Sequence, residues 1–348
     1  MIRNLFIAIF SSCTILCSAQ IDSSSKLSFS GYGELYYSYD FSKPENHEKS
    51  SFLYNHKRHN EINANLILLK SNYSSINARA NLGIMFGNYA QYNLSAEPSW
   101  AKLIYEANIG VKLSKSKSLW LDAGIMPSHI GFESAISADC WTLTRSLLAE
   151  NSPYYETGVK LSYTNKKEDL NIALLALNGW QKIQRPDGIQ RPSFGVQVNL
   201  KPTSKFTFNY SNFIGSDQVD SLDSWRFFHN LYVQYDINKS FGILAGLDFG
   251  LEKNNYHNTD NWSSPVLILR YIANNKTRIA CRVEQYNDRD HLFITSGKII
   301  GFSTNLDRQM NDKIQLRMEG KILHADDAIF SFSKKDNFSL TTNLTIRI

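Results

Sequence analysis

From Lys26 to the end of the chain, apolar and polar residues alternate with a period of two rather than 3.6. Leu27, Phe29, Gly31, Gly33, Leu35, Tyr37 and Tyr39 share one parity, and Ser28, Ser30, Tyr32, Glu34, Tyr36, Ser38 and Asp40 share the other. Successive side chains of a strand point to opposite faces, so the segment predicts a strand with one apolar and one polar face. The alternation recurs at 78–86, 103–113, 155–163, 241–250 and 314–322. The 103–113 repeat puts Leu103, Tyr105, Ala107, Ile109 and Val111 on the apolar side. Less regular versions occur near 61–71, 119–126, 170–178, 193–201, 205–213, 227–237, 263–272, 277–286 and 298–306. The last strand, 338–348, runs to the final residue, with Phe338, Leu340, Leu344, Ile346 and Ile348 on one face.

Brief polar turns at 114–118, 165–169, 202–204, 238–240, 274–276 and 307–312 alternate with longer segments at 41–57, 88–99, 127–152, 179–191, 214–224, 252–261 and 325–337. Short turns at one end and long loops at the other are the layout of a membrane-spanning barrel. Hydrocarbon offers backbone groups no hydrogen bonds, so a spanning sheet must close on itself. The pattern therefore predicts an all-β chain, a closed antiparallel transmembrane β-barrel. About 16 strands are expected, within a range of 14–18, with short periplasmic turns and long extracellular loops. A soluble sandwich or propeller would also alternate, but its strands average about 5–6 residues, and many here span about 9–12, which suits a tilted crossing of hydrocarbon. The apolar end of the final strand resembles the recognition signal read by the barrel-assembly machinery, with Ile348 where Phe is commoner.

Composition agrees. Aromatics reach 13%, with 18 Tyr and 20 Phe, and residues near strand ends such as Tyr37, Tyr39, Tyr155, Tyr163, Tyr235, Phe241 and Tyr271 fit interfacial girdles. Arg3, the apolar stretch from Leu5 to Leu16, and Cys17-Ser18-Ala19 read as a signal peptide over 1–19, leaving 20–348 as the barrel. The net charge of +5 is spread without a polybasic run, which leaves nucleic-acid binding no footprint. After cleavage only Cys140 and Cys281 remain, read as two unrelated thiols.

By parity Glu34, Arg79, Glu106, Asp122, Lys160, Asp248, Arg282, Glu284, Arg317 and Glu319 face inward and are the pore-lining candidates. The longest connection, PSHIGFESAISADCWTLTRSLLAENS (127–152), is long for an exposed loop of such apolar content. Ile136, Cys140, Leu143 and Leu147 have helical spacing. The segment is expected to fold into the lumen, so that His129, Glu133, Asp139, Arg145 and Glu150 border a constriction; an outward loop or a partner-binding surface is the alternative. His47, His56 and His59 match no zinc spacing, so 41–57 reads as a solvated extracellular loop, and no metal or cofactor is expected. Ser128 beside His129, and His229 beside Asn230, could be pieces of a hydrolase. Adjacent strand residues point to opposite faces, however, and adjacency makes no dyad. An enzyme is not expected.

The stretches LWLDAGIMPSHIGFESAISADCWTLTRSLLAENSPYYETGVKLSYT (119–164) and SFLYNHKRHNEINANL (51–66) resemble the OmpL-like β-barrel porin family of Bacteroidetes. The likeness covers nearly all of 20–348 and implies an outer-membrane barrel, with no substrate and no catalytic residues to carry over. The expected activity is passive diffusion of small hydrophilic solutes, set by sieving and by the field of charged lumen residues. The expected partners are outer-membrane lipid, those solutes and the assembly machinery, with a homo-oligomer left open. The competing class is a non-conducting barrel that recruits a surface partner. Mixed lumen charge gives no ion preference.

Overall fold

A computed structural model describes residues 25–253, 259–331 and 333–348. The signal segment 1–19 and part of the expected loop 252–261 lie outside the described residues. Sixteen strands form one closed ring: β1 Lys26–Asp40, β2 Ile62–Ser74, β3 Ala78–Phe86, β4 Ile104–Lys112, β5 Ser118–Pro127, β6 Tyr155–Thr164, β7 Leu170–Leu177, β8 Ser193–Thr203, β9 Phe206–Gly215, β10 Trp225–Asp236, β11 Phe241–Lys253, β12 Thr259–Asn274, β13 Thr277–Asn287, β14 Lys298–Gln309, β15 Ile314–Ala325 and β16 Asp336–Arg347. Every strand is antiparallel to its sequence neighbours, and β16 closes onto β1 with Ile346 opposite Gly33 and Leu340 opposite Tyr39. No edge is left open, as burial in hydrocarbon requires.

The expected parity holds along most strands. Leu35, Ile109, Val159, Leu247, Leu269, Phe302, Leu316 and Leu344 stand on the outer face, where lipid tails cover them. Two register shifts alter the parity locally. One, between Glu34 and Leu35, lets both Asn65 and Leu66 turn inward and be buried. The other, between Gly83 and Ile84, leaves Tyr105 unmatched. Such a bulge adds a residue on one strand and re-aims its side chain. Tyr105, expected on the apolar outer face, instead packs with the interior cluster of Leu66, Leu68 and Met85, beneath the Lys70 ammonium.

Inside, three expectations need correction. Segment 41–57 is not a solvated loop, because Phe52, Leu53, Asn55 and His56 are buried and His56 reaches the Glu34 carboxylate at 2.7 Å. Residues 136–147 do not form one helix. They hold a single 3-10 turn at Ser137–Asp139, extended backbone after it, and a short helix α1 at Leu147–Glu150, capped by the Ser146 hydroxyl. Finally, the inward face is not polar throughout. Toward the long-loop end, Leu177, Phe213, Phe228 and Trp262 point inward in one apolar cluster with Trp180, whose ring meets those of Phe213 and Phe228 edge to face at 5.1 and 4.9 Å between centroids. A further long loop, 288–297, connects β13 and β14.

The two faces of β14 differ in what they tolerate. Phe302→Arg puts a cation on the lipid side and is expected to cost about 2–4 kcal/mol, measured by reversible unfolding in urea from lipid vesicles. A cost near zero would contradict placement of that face against hydrocarbon.

Candidate solute pathway and the segment that fills it

The segment 128–154 leaves β5, crosses the interior and returns to β6. Its backbone is mostly irregular, so most of its N–H and C=O groups cannot satisfy one another. Inward side chains of the barrel supply the partners. Gly131 N–H donates to Asn230, Leu143 N–H to Asn305, Thr144 N–H to Glu319 (2.6 Å) and Leu147 N–H to Glu284 (2.6 Å). In the other direction Arg317 donates to the Ser137 and Cys140 carbonyls, Arg282 to that of Thr144 (2.8 Å), Lys321 to that of Arg145 and Gln197 to that of His129. The segment descends to the short-turn end, where Ala138 and Asp139 share a cleft with Arg278, Gln315 and Arg347. It is a plug tied to the wall along its length.

Glycines on the inward face of β11 make room for it. A Cβ on Gly246 would lie 2.7 Å from the Phe132 ring, and one on Gly242 would lie 2.9 Å from the Trp141 ring. Both glycines fall on the polar parity in the sequence. What they accommodate becomes visible only when the plug is in place.

All the pore-lining candidates point inward. Glu34, Glu106, Asp122, Asp248, Arg282, Glu284, Arg317 and Glu319 are nevertheless buried by protein, and only Arg79 and Lys160 stay partly exposed. Arg282 bridges Glu319 at 2.9 Å and Glu284 at 3.3 Å, with Glu133 of the plug at 3.8 Å, while Lys321 reaches Glu284 at 3.0 Å. Arg317 pairs with Asp307 at 2.6 Å. These charges hold one another and the plug backbone. Among the described residues, Asp248 has an amide partner, Asn230, and no cation.

The plug candidates likewise serve as ties. Arg145 is fully buried and donates to the carbonyls of Ser134, Ala135 and Leu143, pinning the plug to itself. Glu133 accepts from the Ser146 N–H and hydroxyl. Glu150 accepts from the N–H groups of Tyr54 and Asn55, joining the plug to segment 41–61. Asp139 bridges Arg347, and both are partly exposed. His129 meets Glu156 at 2.6 Å through Nδ1 and the Asn212 carbonyl at 2.8 Å through Nε2. With both ring nitrogens engaged, His129 has no nitrogen free to activate Ser128, whose hydroxyl accepts from Ile130 N–H. His229 sits on β10 against the Tyr210 hydroxyl. Cys140 and Cys281 are both free, the first buried in the plug. Among the described residues, no cluster with metal-ligand geometry occurs.

The sequence reading missed the aromatic layer of Phe213, Phe228 and Trp262 and the partners Asn230, Asn305 and Lys321. The polar members were visible as inward parity. The tie to the plug was not, since it joins residues 99 to 176 positions apart.

Residues 26–348 match the family described as "Putative beta-barrel porin-2, OmpL-like". No curated protein sequence matches the chain. Solved structures with the same fold include the anion-selective porin of Comamonas acidovorans, with a TM-score of 0.64 and 9% identity over 93% of this chain and 100% of that one. The outer membrane channel DcaP of Acinetobacter baumannii gives 0.61 and 9% over 94% and 98%. The trimer form of OmpT from Vibrio cholerae gives 0.58 and 10% over 92% and 99%. At these identities the likeness concerns the fold.

Two outcomes test the ties. Arg282→Leu leaves Glu284 and Glu319 short of a cation in a buried site, at a cost of about 3–5 kcal/mol. The plug should then loosen and Cys140 react with a water-soluble maleimide; unchanged protection of Cys140 would show that Arg282 is not a tie. For His129, burial opposes the charged form, but the Glu156 carboxylate and the hydrogen bonds to it and to the Asn212 carbonyl outweigh burial and raise the pKa above the usual 6.5. A raised histidine binds its proton more tightly in the folded state, so this contribution is complete below pH 6.5 and is lost as pH climbs through the raised value. Amide exchange at 129–131, corrected for its intrinsic pH dependence, should therefore speed up on the alkaline side, and a His129→Gln variant should not show the change.

Proposed function

The chain belongs to the OmpL-like β-barrel porin family of the outer membrane, and on that premise we propose that it admits small hydrophilic solutes past a lumen-filling segment that sets their size. The observation that carries this reading is the plug, held by inward charged side chains within a closed sixteen-strand ring. A barrel of this strand number has room for an aqueous lumen, and segment 128–154 takes up much of it. Steric sieving and the field of the remaining water-facing side chains then govern passage. Residues 1–19 serve as the export signal, and the mature barrel is delivered by the assembly machinery into outer-membrane lipid. Self-association is part of the proposal, with the trimer form of the Vibrio relative as its support. No catalytic role is proposed for Ser128, His129 or His229, because none of them presents a free nucleophile and base together.

The packed interior also favours a second reading, a barrel that conducts nothing and recruits a surface partner through its long loops. Planar-bilayer recording separates the two. Deleting Ser137 through Ala149 should raise single-channel conductance several-fold over a small wild-type value. Equal conductance would remove the plug from the pathway. No current from either protein, with a stoichiometric partner in the purified material, would establish the second reading.

A further inference from the structure

Acids and bases on the inward face nearly cancel in number, but the structure does not distribute them evenly. Most of the plug's charged ties run to β1 and β13–β16, and there Glu34, Arg282, Glu284, Asp307, Arg317 and Glu319 are buried; its ties to the other wall are the amides Asn230 and Gln197, the Asn212 carbonyl and Glu156. On the opposite wall, formed by β3–β10, inward side chains near the short turns remain partly exposed: Arg79, Trp120, Lys160, Ser162, Asn199 and Gln234. Higher on the same wall Ala173, Leu175, Ser193 and Phe213 are buried. The exposed group therefore gathers at the short-turn end of the lumen, below the buried aromatic layer, in a region termed the vestibule.

The carboxylates of this wall are taken. Glu106 pairs with Lys70 at 2.6 Å, Glu156 with His129 at 2.6 Å and Asp236 with Arg270 at 2.7 Å. Asp122 is gripped at both oxygens by Arg79, whose guanidinium lies over the Trp120 ring at 4.4 Å. Lys160 is the register partner of Asp122 across β5 and β6. With that carboxylate engaged by Arg79, neither Lys160 nor Lys112, the inward lysine next to the β4–β5 turn, forms an ion pair within 4.0 Å among the described residues. The turns bounding the wall repeat the bias. Lys115, Lys117, Lys166, Lys167, Lys205 and Lys239 are exposed and form no ion pair among the described residues, against Glu168 and Asp169.

From this pairing we infer that the vestibule collects small anions, and that the favoured solutes are carboxylates and phosphate esters, with Lys160 the specificity-determining side chain. The inference rests on the diffusion-channel reading and names its solute class. A cleft lined by one uncompensated sign of charge raises the local concentration of the opposite ion. Partly exposed lysines act this way most strongly at low ionic strength, where screening is weak.

The test is a reversal potential across a KCl gradient at low salt, with the full mature chain in planar bilayers. Wild type should favour chloride over potassium. Lys160→Glu with Lys112→Glu should lower the permeability ratio by about twofold or more, and Lys160→Gln should fall between. A wild type that favours potassium or neither ion, or a ratio unmoved by these variants, overturns the inference. If wild type passes no current, the channel reading itself fails. The vestibule is then judged in detergent by quenching of Trp120 fluorescence, taken as the difference from Trp120→Phe. Iodide quenching well above caesium quenching, reversed in Lys160→Glu, supports anion collection; equal quenching by both ions rejects it.

Discussion

The structure depends on one requirement: a backbone polar group shut away from water, in hydrocarbon or in the packed interior, must find its hydrogen bond within the protein. The strands meet it by closing the ring from β1 to β16. The plug cannot meet it by itself, since its only regular pieces are a turn at Ser137–Asp139 and the helix Leu147–Glu150. Instead Asn230, Asn305, Glu319 and Glu284 accept from its N–H groups, while Arg282, Arg317, Lys321 and Gln197 donate to its carbonyls. Inward charge in this barrel is thus in large part a set of backbone partners for a segment with little secondary structure of its own.

That use of charge has a functional consequence. Carboxylates and guanidiniums spent on the plug and on one another are removed from contact with water, and their opposite signs neutralise locally. What a solute meets is the remainder, which lies on the β3–β10 wall and is rich in amides and lysine. A high density of inward charge is therefore compatible with a narrow pathway whose few water-facing charges are mostly basic. The buried ion pairs are not a simple gain in stability, because desolvating them offsets much of their attraction. Their contribution is to hold one arrangement of the plug, since removing any partner strands another.

Much of this was legible in the residues. Alternation over 27–40, 78–86 and 314–322 marked strands, the alternating turns and long loops marked the hairpins, and the inward parity of Glu34, Arg79, Arg282 and Glu319 followed from a side-chain period of two. The exceptions have local causes. Tyr105 turned inward because a bulge added one residue to its strand, and a bulge has no sequence signature there. The helical spacing of Ile136, Cys140, Leu143 and Leu147 did not produce a helix, because the polar wall offered the plug backbone better partners than an isolated short helix could. His56 looked like a loop histidine until the fold placed Glu34 beside it.

The sequence by itself determined the closed ring, its span and which residues face inward, because these follow from a short-range period and from the intolerance of hydrocarbon for unpaired backbone. Only the tertiary structure decided which inward charges face water. That depends on the path of 128–154 through the interior, and so on contacts such as Thr144 with Glu319 and Ser137 with Arg317. Those contacts join distant positions, and no local pattern encodes them.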